Sequence, residues 1–138
     1  DTTIVPADLP QAVTNRARQI ALVLSQAANL RGLLAVEMFV TKDGSILVNE
    51  LAPRPHNSGH WTLDGCVTSQ FEQCIRAVCG LPLGGTERLC DVTMKNLIGD
   101  DVEDWKGYCK NPHAKLHLYG KAEARPDRKM GHVNILKP

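Results

Sequence analysis

The residues of this sequence best suited to chemistry are two glutamates, Glu37 and Glu50, on two short β-prone stretches. The stretches, 33–41 and 46–51, are separated by a Lys-Asp-Gly-Ser segment at 42–45, in which Asp-Gly is a strong signal for a two-residue hairpin turn. Counting back from that turn places Glu37 directly opposite Glu50. Cross-strand partners have Cβ atoms roughly 4.5–5.5 Å apart, and like charges at that separation are destabilising.

Facing carboxylates on apolar strands need a cation between them or a shared proton. A hard divalent ion with oxygen ligands resolves the repulsion, so Glu37 and Glu50 predict a Mg²⁺ site. Asn49 or phosphate oxygens could complete its coordination shell. The alternative is that one glutamate turns to solvent and pairs with a lysine, because the register depends on the assumed turn.

A rigid polar loop follows the second stretch, with the sequence Ala-Pro-Arg-Pro-His-Asn-Ser-Gly-His-Trp at 52–61. Its two prolines fix φ and remove backbone donors, so neither a helix nor a central strand can continue through it. Loops that leave a strand in this way often present functional side chains, here Arg54, His56 and Asn57, although an ordinary exit loop is the alternative. The prolines also argue against the helix that would align His56 with His60 for zinc.

A second candidate is the basic segment at 119–132, between two further β-prone runs. It carries four cations within nine residues and has glycines near both ends. Such a segment can hold a phosphate by charge-assisted hydrogen bonds. A solvated surface turn is the commoner explanation for a cluster of this kind.

Composition limits the class of protein. The 138 residues carry 16 basic and 15 acidic side chains, and a net charge of +1 gives no field that would attract nucleic acid or an anionic membrane. No membrane-length apolar run, signal peptide, or Walker or Rossmann glycine motif is visible. Five cysteines without a Cys-x-x-Cys pair indicate reduced thiols and a cytoplasmic protein. Because the chain opens at Asp1 without a methionine, we expect a fragment or a processed chain.

Periodicity and capping signals predict the helices around these sites. Asp8 is placed to cap a first helix that has Pro10 in its first turn and Gly32 at its stop. Ser69 opens a second helix with a capping box, and Gly80 ends it.

The rest of the chain is predicted to be strands and connections. We expect connectors at 1–9 and 62–68, a polar loop at 100–112, and strands at 90–98, 116–119 and 132–136. The assumed turn also pairs Val40 with Leu47 and Met38 with Asn49. Both faces of the hairpin are largely apolar, which predicts a covering layer on each side. Glycines at 84 and 85 mark a boundary, so we expect one domain at 1–85 and a small β-rich domain at 86–138.

Several motifs together resemble the 5-(carboxyamino)imidazole ribonucleotide synthase family of ATP-grasp ligases. They are Val-Glu-Met-Phe at 36–39, the run from Asn49 to Trp61, Ser-Gln-Phe-Glu at 69–72, Tyr-Gly-Lys at 119–121 and Arg-Lys-Met-Gly-His at 128–132. They occur in the family's order over nearly the whole chain, and the run at 52–61 is the most specific of them. The resemblance implies an α+β fold, in which the carboxy-terminal lobe of an ATP-grasp domain, an antiparallel sheet with helices, precedes a small β-rich subdomain.

The resemblance also implies roles for individual residues. Glu37 and Glu50 fall where the family binds Mg²⁺ and, through it, ATP, and Asn49 lies beside them. Three residues of the rigid loop fall near the bicarbonate or carboxyphosphate: Arg54, His56 and Asn57. Three residues of the basic segment match the part that holds the ribonucleotide phosphate: Lys121, Arg128 and Lys129.

The activity implied is ATP-dependent carboxylation of the amine of 5-aminoimidazole ribonucleotide by bicarbonate, through carboxyphosphate, in purine biosynthesis. The resemblance implies a cytoplasmic homodimer for the full-length parent, with small-molecule substrates and neither nucleic acid nor membrane as partner. The family's amino-terminal half has no counterpart here, so we expect the chain to be inactive alone and to expose the surface on which that half would pack. Two alternatives stay open: a sibling ATP-grasp ligase with another amine acceptor, and a non-enzymatic phosphate-binding or interaction module.

Overall fold

The structure, a computed structural model, describes residues 1–137. Its helices are α1 (Gln11–Ala27), α2 (Thr62–Gly65), α3 (Gln70–Val78) and α4 (Trp105–Tyr108). Its strands are β1 (Thr2–Val5), β2 (Ala35–Val40), β3 (Ile46–Ala52), β4 (Asp91–Ile98), β5 (Ala114–Leu118) and β6 (Lys129–Lys137). Two 3-10 turns cover Asn57–Gly59 and Gly99–Asp104. Within residues 1–137, no helix has the length and apolar character needed to cross a membrane.

The chain forms two compact units. The hairpin unit consists of Ala7–Gly59 and Thr68–Gly85, and the sheet unit consists of Asp1–Pro6, His60–Val67 and Thr86–Pro138. The division after Gly85 thus coincides with a change of unit, but residues 1–6 and 60–67 group with the later part of the chain. The division into domains at 1–85 and 86–138 stays a prediction.

An antiparallel four-stranded sheet, in the order β1-β4-β6-β5, is the core of the sheet unit. The connector predicted at 1–9 is wrong in part, because Thr2–Val5 pairs with β4. The three predicted strands are present, and the predicted loop at 100–112 contains α4 and a 3-10 turn. The apolar side chains at the centre are fully or almost fully buried: Val92, Met94, Leu97, Met130 and Val133. Together with the helices, this sheet confirms a mixed α+β fold.

The second predicted helix is confirmed and the ends of the first are corrected. Ser69 accepts a hydrogen bond of 3.2 Å from the backbone N–H of Glu72, which caps α3. Helix α1 instead has Pro10 as its N-cap, with no side-chain cap, because Asp8 lies two residues too early. It ends at Ala27, followed by Asn29 with a positive φ of 45°, so Gly32 is not its stop.

The hairpin of β2 and β3 turns through three residues rather than two. The backbone N–H of Thr41 donates to the carbonyl of Ser45 at 3.0 Å, and Gly44 has a φ of +83°. A type I turn followed by a left-handed glycine is the usual three-residue hairpin loop. The hydroxyls of Thr41 and Ser45 donate to Asp43, and these hydrogen bonds hold the pKa of its carboxyl below the usual value.

A register shift between Glu37 and Met38 corrects the effect of the longer turn. Near the turn Met38 pairs with Val48, so the predicted pairing of Met38 with Asn49 is wrong by one residue, as is that of Val40. Asn49 is the extra residue of a β-bulge, and beyond it Glu37 pairs with Glu50 as predicted.

The apolar faces of the hairpin are only partly covered in the described residues. β2 and β3 form a two-stranded sheet, and Phe39 and Leu47 are 59% and 55% exposed. The prediction of a covering layer on each face is therefore wrong for the described residues, because α1 contacts β3 without burying these side chains.

Candidate functional site

Three side chains of the hairpin unit converge on one point: Glu37, Glu50 and His56. One ligand atom from each lies within 4.8 Å of the others, an arrangement that could hold a metal ion. His56 Nε2 is 3.2 Å from Glu37 Oε1, and the amide of Asn49 donates to Glu37 Oε2 at 3.3 Å. The two carboxylates therefore lie on the same side of the hairpin, which is the geometry that the predicted register required.

The β-bulge positions this group. Because Asn49 is the extra residue on β3, it is free of direct pairing in the ladder, and its amide turns toward Glu37. Glu37 is half-buried and Glu50 is exposed. The two carboxylates therefore lose less hydration than they would on a hairpin covered on both faces, which is what the sequence predicts.

Gln70 of α3 fixes the backbone of His56. The His56 N–H donates to Gln70 Oε1 at 2.9 Å, and Gln70 Nε2 donates to the His56 carbonyl at 2.8 Å. A Cβ on Gly59 would lie 2.6 Å from Gln70 Oε1, so this close approach requires glycine. The His56 ring is also held by Ser58, whose Oγ is 2.8 Å from Nδ1, and the side chain is only 12% exposed.

Gln70 and Ser58 are positioning residues that the sequence did not predict. Gln70 was interpreted only as part of the capping box of α3, and nothing in local spacing shows that an amide will satisfy a backbone residue fourteen positions away. Its only sequence signal is its place in the Ser-Gln-Phe-Glu motif.

Arg54 and Asn57, the other two predicted loop residues, lie on either side of His56 in sequence. Arg54 is exposed, its Nη1 donates to the carbonyl of Pro55 at 3.1 Å, and it lines a small open pocket of about 180 Å³ with His56 and Gln70. Asn57 is half-buried and begins the 3-10 turn that leads to Gly59. Arg54 and His56 are thus brought to one pocket.

The basic segment belongs to the sheet unit and is organised by its own hydrogen bonds. Lys121 Nζ donates to the carbonyl of Lys129 at 2.6 Å, and Arg128 donates to the carbonyl of Glu123 at 3.2 Å. Lys129 Nζ lies 3.2 Å from Asp1 Oδ2. Lys121 and Arg128 therefore lie in a turn organised by hydrogen bonds, Lys129 begins β6, and the proposed role of all three stays a prediction.

A buried polar cluster in the sheet unit was not predicted. His132 and Asn134 of β6 are 1% and 0% exposed, and His117 of β5 pairs directly with His132. Desolvation, with the nearby His117 and His60, lowers the pKa of His132 to about 4. The available signal was two polar residues at alternate positions of β6, which places His132 and Asn134 on one face.

Comparisons with known proteins identify the family to which the chain belongs. A family model described as the ATP-grasp domain matches residues 1–71, and one described as the phosphoribosylaminoimidazole carboxylase C-terminal domain matches 92–138. The first match covers half of the chain, and the chain belongs to the ATP-grasp family.

Within that family, the chain is most informatively compared with N5-carboxyaminoimidazole ribonucleotide synthases. It is 55% identical over 138 residues to that of Bacillus subtilis, covering 98% of this chain and 36% of the relative. It is also 47% identical to the bifunctional purine synthesis protein purC/E of Dictyostelium discoideum, covering 95% of this chain and 15% of that relative.

Two solved structures show the same similarity. An ADP complex of an N5-carboxyaminoimidazole ribonucleotide synthetase has a TM-score of 0.94 at 52% identity, covering 99% of this chain and 36% of that one. The Aspergillus clavatus synthase with ADP and 5-aminoimidazole ribonucleotide has a TM-score of 0.93 at 36% identity, covering 99% and 39%. The chain spans little more than a third of the length of these relatives.

Proposed function

We propose that this chain carries metal-binding and substrate-binding residues of an ATP-dependent carbon–nitrogen ligase of purine biosynthesis. The reaction is carboxylation of the amine of 5-aminoimidazole ribonucleotide by bicarbonate, in a cytoplasmic homodimer with small-molecule substrates and without nucleic acid or membrane partners. The observation that supports it most is the convergence of Glu37, Glu50 and His56 beside Asn49. The similarity to the synthases supports the choice of substrate.

Glu37 and Glu50 would hold Mg²⁺. Two carboxylates supply the hard oxygen ligands that this ion prefers, and Asn49 orients Glu37. The imidazole nitrogen of His56 is a poorer ligand for Mg²⁺ than for transition metals, so we assign His56 to the bicarbonate and not to the metal. When bound, the ion neutralises charge on the ATP phosphates.

Arg54, His56 and Asn57 would orient bicarbonate and the carboxyphosphate made from it. A bicarbonate oxygen attacks the γ-phosphorus of ATP, the bond to ADP breaks, and carboxyphosphate forms. The amine then attacks the carboxyl carbon, phosphate leaves, and the amine loses a proton. A guanidinium and fixed hydrogen-bond donors stabilise the charge that develops in these steps.

Lys121, Arg128 and Lys129 would bind the ribonucleotide phosphate. Ammonium and guanidinium groups on an ordered turn suit a phosphate monoester, because the donors are fixed before the ligand arrives. The side chain of Lys121 donates a hydrogen bond to the backbone carbonyl of Lys129, which brings the two residues together where the basic segment enters β6.

The metal assignment is tested by ADP binding to the chain with and without Mg²⁺, measured by isothermal titration calorimetry. Glu50→Gln removes one charge at nearly constant shape, and we expect it to weaken the Mg²⁺-dependent binding about tenfold or more. Glu87→Gln, at an exposed glutamate of the sheet unit, is the matched control and should leave the binding unchanged. ADP binding that is indifferent to Mg²⁺ and to Glu50→Gln would instead favour the non-enzymatic phosphate-binding module.

A further inference from the structure

A series of contacts in the sheet unit connects the buried His132 to Lys121. The Tyr119 hydroxyl and His132 Nδ1 share a hydrogen bond of 2.9 Å. Lys121 Nζ lies over the Tyr119 ring, 5.6 Å from its centroid, where the face of an aromatic ring attracts a cation. The ammonium group is thus held at two points, by this ring and by the carbonyl of Lys129.

His132 is fixed from the opposite side. Its ring stacks on that of His117, with centroids 4.6 Å apart and planes 14° from parallel, and the His60 ring lies 5.2 Å away. His132 Nε2 has no hydrogen-bond partner among the described residues, so Nδ1 is the atom through which the ring acts on its surroundings.

Asp64 anchors the stack. Its Oδ2 is 2.8 Å from His117 Nε2 and accepts a hydrogen bond of 2.6 Å from Asn134 Nδ2. Asn134 is fully buried, and the His117 ring is held between this carboxylate and the ring of His132. The orientation of the His117 ring, and with it the ring of His132, is therefore set by groups outside the basic segment.

We propose that His132 and Tyr119 are positioning residues for the phosphate group of the ribonucleotide. The hydrogen bond between the buried imidazole and the Tyr119 hydroxyl orients the Tyr119 ring, and the ring places the Lys121 ammonium where it meets a phosphate monoester. This inference rests on the proposed function of Lys121 and adds to it the two side chains through which that lysine is preorganised.

The test measures binding of 5-aminoimidazole ribonucleotide and of inorganic phosphate to the chain by calorimetry. Tyr119→Phe keeps the ring and removes only the hydroxyl, and we expect the dissociation constant for both ligands to rise about three- to tenfold. His132→Gln should produce a loss of similar size. Arg125→Gln is the control, since that cation of the same segment pairs with Glu123 at 2.8 Å, and it should bind as the parent does.

A double-mutant cycle separates positioning from general packing. If His132 acts through the tyrosine hydroxyl, the double variant Tyr119→Phe/His132→Gln should have a dissociation constant no higher than that of the single variant that binds more weakly. Losses that add would mean that His132 contributes only to packing, and would overturn the proposal. The midpoints of thermal unfolding identify any variant that fails to fold. If His132→Gln fails to fold, the binding measured for Tyr119→Phe, which removes only one hydroxyl, decides whether the positioning proposal stands.

Lys121→Ala distinguishes this inference from the function on which it rests. One outcome is that Lys121→Ala weakens binding of the ribonucleotide tenfold or more while Tyr119→Phe leaves it unchanged. That outcome overturns the positioning role and leaves the proposed function standing. Unchanged binding in Lys121→Ala, or no binding of either ligand by the parent chain, removes the assignment of Lys121 and the positioning proposal with it.

Discussion

A single amide side chain, that of Gln70, forms hydrogen bonds with both backbone polar groups of His56, and the His56 carbonyl also accepts one from the Gly59 N–H. The loop before it contains two prolines and cannot supply these hydrogen bonds through a regular ladder. The imidazole that approaches Glu37 therefore depends on a helix that begins fourteen positions later in the sequence.

Gln70→Ala should destabilise the chain and displace His56. It leaves the partly buried N–H of His56 without its partner, which costs about 1–3 kcal/mol, whereas the His56 carbonyl keeps a hydrogen bond of 2.9 Å from the Gly59 N–H. Urea unfolding measures the loss. Gln11→Ala, which removes an exposed hydrogen bond to Asn15 on α1, is the matched control and should cost only a few tenths of a kcal/mol. Equal losses in the two variants would contradict the role assigned to Gln70.

His132 makes the stability of the chain depend on pH. Its pKa in the folded chain is about 4, below the ordinary 6.5, so the unfolded chain binds more protons between these values. Stability contributed by the neutral ring is complete above pH 6.5 and is lost as the pH falls toward 4. The loss is of the order of 3 kcal/mol.

His132→Gln should remove this part of the pH dependence. Unfolding free energies measured at pH 7 and at pH 4.5 should differ less in the variant than in the parent, because glutamine does not titrate. His113→Gln, at an exposed histidine, is the control and should keep the parent's dependence. An unchanged dependence in His132→Gln would show that another group is responsible.

At the scale of elements, the β2–β3 hairpin presents its two glutamates through two irregularities. The three-residue turn offsets the register by one residue, and the bulge at Asn49 restores it before Glu37 and Glu50 are reached. The carboxylates face each other only because both features are present in the same ribbon.

Gly44→Ala tests the turn. Gly44 has a φ of +83° and open space where a Cβ would lie, so the substitution introduces backbone strain without a clash. We expect the free energy of unfolding to fall by about 1–2 kcal/mol. Gly44→Asn should cost less, because asparagine tolerates this conformation better. Thermal unfolding compares the two, and equal losses would mean that the left-handed geometry does not limit the turn.

At the scale of the whole molecule, the chain has two compact units and matches 36% of the length of the Bacillus subtilis synthase. The hairpin unit carries the proposed metal ligands, and the sheet unit carries the proposed ribonucleotide ligands. The apolar side chains exposed on the hairpin are consistent with a surface that a further part of such a ligase would cover.

We expect the isolated chain to show no ATP turnover. A hybrid in which it replaces the matching 36% of the Bacillus subtilis synthase should turn over ATP in the presence of 5-aminoimidazole ribonucleotide and bicarbonate. The same hybrid with Glu50→Gln should be inactive, and with Glu87→Gln fully active. Turnover by the isolated chain would contradict the expectation, and an inactive but folded hybrid would count against the proposed activity.

Much of the fold could be predicted from local patterns. The Ser69 cap, the hairpin and the later strands follow from side-chain period, turn residues and capping, which act over a few neighbouring positions. The exact turn could not be predicted, because Asp-Gly suits both two- and three-residue loops. The pairing of Glu37 with Glu50 was correct although the register nearer the turn was not, since two one-residue offsets cancelled.

The sequence by itself determined which chemical groups are available and their order: the two glutamates across a turn, the rigid loop with His56, and the basic segment. Only the tertiary structure decided that Gln70 holds His56 and that Asp64 meets His117, 53 positions later in the chain. The physical reason is the separation along the sequence over which each kind of interaction acts. Turn and capping preferences are properties of adjacent residues, whereas buried polar groups find their partners only when packing has excluded water from them.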